Sequence, residues 1–99
     1  MEIREKFYLI LSLMNVSFAP QFKRQFKKLV PALKEEAFEK IQLFEKIENH
    51  GALRVHKLHG SLSGKLSFWV NYRYRIVFMW EVQNKSAILL TIGDHALYD

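Results

Sequence analysis

The sequence predicts a single α+β domain: an N-terminal strand, two helices, then a four-stranded antiparallel meander. Three observations carry this expectation. Apolar residues recur at helical spacing between Pro20 and Ile47, and they alternate at strand spacing between Leu53 and Ile92. Clusters of Gly, Ser and Asn punctuate the second half where hairpins need them. The 99 residues suit one domain, and a hydrophobic share of 49% is enough to build a core rather than leave a disordered chain.

Asn15-Val-Ser-Phe-Ala19 alternates like a first strand. Met14 stands directly before it, so residues 1–13 read as a candidate N-terminal extension and 14–99 as the domain. Phe7 to Met14 is the longest apolar run, well short of the roughly 20 residues that span a bilayer. Glu2 and Glu5 offset Arg4 and Lys6 ahead of it, which argues against a secretion signal and for a cytoplasmic location.

Pro20 suits the first turn of a helix. Phe22, Phe26, Leu29 and Val30 then form one apolar stripe, flanked by Lys23, Arg24, Lys27 and Lys28. Pro31 breaks or restarts this helix. The second helix is expected from about Ala32 to Ile47, with Leu33, Ala37, Ile41 and Phe44 inward and glutamates outward. Asn49-His50-Gly51 reads as its stop, Gly51 taking the left-handed conformation. Strands are expected at about 53–58, 66–71, 73–82 and 86–92, joined by turns at Gly60–Gly64 and Gln83–Lys85.

The net charge of +5 favours a polyanionic partner, nucleic acid or acidic protein. Without cysteine there is neither a disulfide framework nor a thiolate metal site. Alternation places Arg73 and Arg75 on one face of a strand, either a clamp for phosphate oxygens or a pair of solvated edge charges. His56 and His59, three apart in a strand, fall on opposite faces and do not make a joint metal site. Adding Asp94 and His95 produces no diagnostic ligand spacing. His95, just past a strand end, is suited either to proton transfer in a cleft or to capping; Tyr98 offers a stacking face or simply anchors the C-terminus.

Leu53, His56, Leu58, Gly60, then Tyr72, Arg73, Arg75, Ile76, Phe78, then Ile92, Gly93, Asp94, His95 and Tyr98 form an ordered set that resembles the RelE/ParE toxin superfamily. The opening from Asn15 to Leu29 is similar as well, so the resemblance covers about residues 14–99. It implies a RelE-like fold and the toxin of a bacterial type II toxin–antitoxin module. A YafQ-like or RelE-like member would be an mRNA interferase, cutting mRNA at the ribosome by attack of a 2′-OH on the adjacent phosphodiester, without metal or other cofactor. By position, Arg73 resembles the arginine that stabilises the phosphate, His95 the C-terminal acid or base, His56 a functional histidine of YafQ-like relatives, and Tyr98 the orienting aromatic. Lys57, His59, Lys65 and Arg75 are inferred beside them as substrate-binding or charge-supporting residues. The chain lacks the lysine-dense strand and C-terminal arginine of RelE itself. Implied partners are a cognate antitoxin, mRNA and the ribosome, with no membrane. The alternatives are a ParE-like inhibitor of DNA gyrase without catalysis, and an inactive relative that only binds antitoxin.

Overall fold

Pro20 and Pro31 each open a helix, where a missing N–H costs nothing and the fixed φ is already helical. The computed structural model describes residues 13–97; most of the candidate extension, and Tyr98, lie outside that range. The elements are β1 (Asn15–Phe18), α1 (Pro20–Lys27), α2 (Pro31–Phe44), β2 (His56–Lys57), β3 (Leu66–Trp69), β4 (Tyr74–Val82) and β5 (Ser86–Asp94). Short 3-10 turns cover Ile47–Asn49, Gly60–Leu62 and His95–Leu97.

The expected meander forms, β2 to β5 pairing antiparallel in sequence order. The sheet as a whole is mixed and five-stranded, in the order β1-β5-β4-β3-β2, because β1 pairs parallel with β5. The two helices return the chain across the sheet before β2, which leaves β1 free to pair with the last strand. Alternation within β1 carries no information about that neighbour. Bonds from Asn15 N to Lys85 O and from Ala19 N to Leu89 O bracket the pairing.

Several boundaries differ from expectation for local reasons. The first meander strand shrinks to two residues because 49–55 coil into turns, with Leu53 N donating to Asn49 O and Val55 N to His50 O. The left-handed residue there is Arg54 (φ 58°) rather than Gly51. α2 stops at Phe44, not Ile47. β3 ends at Trp69 because the Asn71 side-chain oxygen accepts from the N–H groups of Arg73 and Tyr74, turning the chain early.

α2 covers one face of the sheet. Phe44 stacks on Phe68 at 4.4 Å and meets Phe78 edge-on at 4.7 Å, with Ala37, Ile41, Ile76 and Leu89 around them. α1 runs along the edge of β5 beyond the end of β1, where the Gln25 side-chain oxygen accepts from Ile92 N and from the Thr91 hydroxyl. Phe22 of α1 reaches inward to join the same core. The opposite, helix-free face carries Ser67, Trp69, Arg75, Val77 and Thr91 by alternation and register.

Candidate functional site

Arg73 and Arg75, two residues apart, have different surroundings. β4 begins at Tyr74, so Arg73 belongs to the preceding bend, where its side chain is 69% exposed. Its Nε donates to Asp94 Oδ2 at 2.7 Å. The Asp94 hydrogen bond and charge raise the Arg73 pKa further above its ordinary value. In return, the Ala96 backbone N–H and then the Arg73 guanidinium hold the Asp94 carboxyl below the usual carboxylate range. Arg75 is only 6% exposed. One Nη donates to the carbonyls of Asn71, Tyr72 and Tyr74, and the guanidinium lies 3.8 Å from the centroid of Trp69, its cross-strand partner. The expected two-arginine clamp is therefore divided: Arg73 faces solvent and Arg75 holds the bend that presents it. Burial and three carbonyl bonds leave Arg75 poorly placed to meet a phosphate directly, unlike the substrate contact inferred for it.

The bend is fixed from a second side. Asn71 Nδ2 donates to Glu36 of α2 at 2.7 Å while its Oδ1 holds the Arg73 and Tyr74 amides. Tyr72, between them, is 82% exposed. Its ring stands 6.4 Å from Trp69 on one side and 6.3 Å from His95 on the other. His95 N donates to Arg73 O at 2.8 Å, so these two residues share one corner of the sheet.

His56 occupies the opposite corner. Its Nδ1 lies 2.8 Å from Arg54 O, a group that can only accept, so Nδ1 carries a proton. Its Nε2 therefore faces the Ser67 hydroxyl, at 3.4 Å, with a lone pair when the ring is neutral. His56 is level with Ser67, Val77 and Thr91, whereas His95 is level with Arg73. That separates their backbones by three strand spacings, about 14 Å, and by four residues, about 13 Å along the strands. Between the two corners lies Trp69, with the Arg54 guanidinium 4.3 Å from its centroid in addition to that of Arg75. The two imidazoles thus lie at opposite corners of a cationic, aromatic strip, their backbones about 19 Å apart, farther than a single phosphodiester spans.

Lys57 and His59 do not join this group. They line a separate cleft of about 390 Å³ beside Trp80, as strand alternation from His56 requires. Lys65 borders that cleft and a second one on the helix-free face. Among the described residues, no set of three or more His, Asp or Glu is grouped to hold a metal ion. Arg54, Ser67, Trp69 and Tyr72 were not singled out as site residues. Only the exposure of Tyr72 next to two arginines had a visible signal, an aromatic in a basic run.

No protein-family model matches the chain, and no curated protein does. Solved structures do. The YoeB/ParE toxin from Agrobacterium tumefaciens superposes with a TM-score of 0.67 at 13% identity, covering 83% of this chain and 99% of that one. The RelBE2 toxin–antitoxin complex from Mycobacterium tuberculosis gives 0.61 at 19% identity over 83% and 98%. The DinJ–YafQ complex from E. coli gives 0.63 at 16% identity over 86% and 96%. An α+β domain with one helix-covered face and one open cationic face is the class these features define. The fold is that of the RelE/ParE toxin superfamily.

Proposed function

We propose that the chain is the toxin of a type II toxin–antitoxin module and a metal-independent endoribonuclease acting on mRNA, at the ribosome. The observation that carries this reading is the corner shared by Arg73, Tyr72 and His95, which sets an exposed guanidinium, an exposed aromatic ring and an imidazole beside one another. An in-line displacement needs a base and an acid on opposite sides of the phosphorus. Solvent takes the proton from the 2′-OH, the 2′ oxygen bonds to phosphorus, and the bond to the 5′ oxygen breaks, while His56, at the far corner, meets the RNA strand farther along. The His95 imidazolium gives that oxygen its proton, leaving a 2′,3′-cyclic phosphate and a 5′-OH. Arg73 balances the charge that builds on the phosphate oxygens, for which it must share or release Asp94. Tyr98 completes the group in the family pattern, as the aromatic that orients the substrate. Lys57, His59 and Lys65 act at longer range, through the charge they add near the RNA.

Solved relatives of this fold include complexes of RelE with RelB and of YafQ with DinJ, which supports a protein antitoxin as the partner of this chain. The antitoxin's acidic segment would neutralise the basic open face in the resting module. No helix among the described residues is long and apolar enough to cross a membrane, consistent with action in the cytoplasm.

One observation favours the gyrase-inhibitor reading: the arginine expected to meet the phosphate is already paired with Asp94. Induction in bacteria separates the two. Growth arrest with new mRNA 5′ ends is expected for the wild type. His95→Ala should lower cleavage by roughly 100-fold or more, the usual weight of a general acid, and His56→Ala by less. Arrest with intact mRNA would reject the nuclease and leave gyrase as the target.

A further inference from the structure

Arg24 is one of three basic residues of α1, all exposed, and nothing in the proposed cleavage chemistry uses it. It lines a cleft of about 520 Å³ on the helix-free face, between α1 and the Gly60–Leu62 turn. Leu62, Val77 and Leu90 give the cleft an apolar floor, while Arg24 and Lys65 bring cations from two separate elements. No acidic side chain is among its lining residues. Gln25, the next residue along α1, is bonded to both Thr91 and Ile92 N, so the helix is fixed against the sheet where Arg24 projects. Val77 and Thr91 belong to the same cross-sheet row as His56 and Ser67. Lys65 lies two residues from Ser67 on the same face, about 7 Å farther from the Arg73 corner.

An apolar floor with cations at its rim suits a ligand that is flat and apolar in one part and anionic in another. We propose that this cleft is a second nucleotide subsite: a base of single-stranded RNA lies over Leu62, Val77 and Leu90, and its phosphate is held by Arg24 and Lys65. The inference rests on the nuclease reading for its substrate and extends it. A strand that passes His56 reaches the cleft without leaving the open face, on the side away from the Arg73 corner. The subsite therefore adds affinity for RNA longer than a dinucleotide.

The test compares the full-length wild type with Arg24→Glu, using a dinucleotide and a fluorescein-labelled single-stranded RNA long enough to cover the face. The charge reversal is expected to weaken the long RNA by about tenfold more than the dinucleotide, the scale of one charge-assisted phosphate contact. The loss should appear in Kd and KM rather than kcat, and the salt dependence of binding should shallow by about one charge. Lys65→Glu should repeat the pattern. Equal losses for both RNAs, or none, would overturn the proposal. Loss of antitoxin binding with RNA binding intact would overturn it too, and make the cleft a protein-docking site. If the wild type binds long RNA through Arg24 but cuts neither substrate, the subsite stands and the nuclease reading falls.

Discussion

On the helix side of β4, Ile76 and Phe78 are buried against Phe44 and Phe68; on the other side, Arg75 and Val77 of the same strand are nearly as buried. The first pair is enclosed by apolar packing, in which each ring contributes area and van der Waals contact. Arg75 instead packs on an indole and donates to three carbonyl oxygens. One face tolerates replacement by any apolar group of similar shape. The other requires a planar, five-donor cation at one position, and its geometry passes directly to the bend that carries Tyr72 and Arg73.

Removing Phe44 should have the largest effect. Phe44→Ala deletes a ring in contact with Phe68, Phe78, His50 and Trp80, and should cost about 3–5 kcal/mol of stability. Urea unfolding measures it. Phe44→Leu should recover much of the loss, and any remaining folded protein should keep its RNA binding. A selective loss of RNA binding at full stability would show that the two faces are not separable.

Arg75 should come next. Arg75→Ala leaves the carbonyls of Asn71, Tyr72 and Tyr74 without their shared donor and strips one cation from Trp69, costing about 2–3 kcal/mol. Unlike Phe44→Ala, it should also loosen the bend and weaken RNA cleavage in the protein that stays folded. Arg75→Lys should not restore either property, because an ammonium cannot stack on the indole and reach the carbonyls together. Rescue by lysine would mean that charge alone matters there.

The helix-covered face was legible in the sequence for the same reason that it tolerates substitution: burial by apolar packing leaves a period, and α2 with Phe44 and β4 with Ile76 and Phe78 follow it. The open face leaves no period. Arg54 became a site residue through a left-handed turn that the expected glycine did not take, and Trp69 through its pairing with Arg75 across two strands. The parallel partnership of β1 with β5 depends on the path of the helices rather than on β1 itself. His56, Arg73 and His95 were visible as residue types at strand ends, yet their division between two corners depends on register, which alternation alone does not set.

Asn71 gives a smaller, more specific effect. Asn71→Ala removes the acceptor for two amides and the link to Glu36, for about 1–2 kcal/mol and faster hydrogen exchange at Arg73 and Tyr74. Asn71→Asp keeps the acceptor but sets a carboxylate against Glu36. It should therefore retain slow exchange at the two amides while losing stability, and identical exchange in both variants would remove Asn71 as the anchor of the bend.

Asp94 should give the smallest change in stability and the clearest dependence on pH. Its folded carboxyl is held below the ordinary range, chiefly by the Ala96 N–H and then by Arg73, so the contribution is complete above the unfolded pKa. It is lost as pH falls through the lower folded value. Asp94→Asn should thus be slightly less stable than wild type at neutral pH and indistinguishable from it in strong acid. Arg73 is exposed and Asp94 only half-buried, which keeps the stability term small. On RNA the sign reverses: without the carboxylate, Arg73 is no longer shared, and affinity should rise by roughly twofold to fivefold, the range of an exposed ion pair. Weaker binding by Asp94→Asn would show instead that the carboxylate holds Arg73 in its working position rather than competing with phosphate for it. That outcome would move the pair from a brake on the open face to part of its framework.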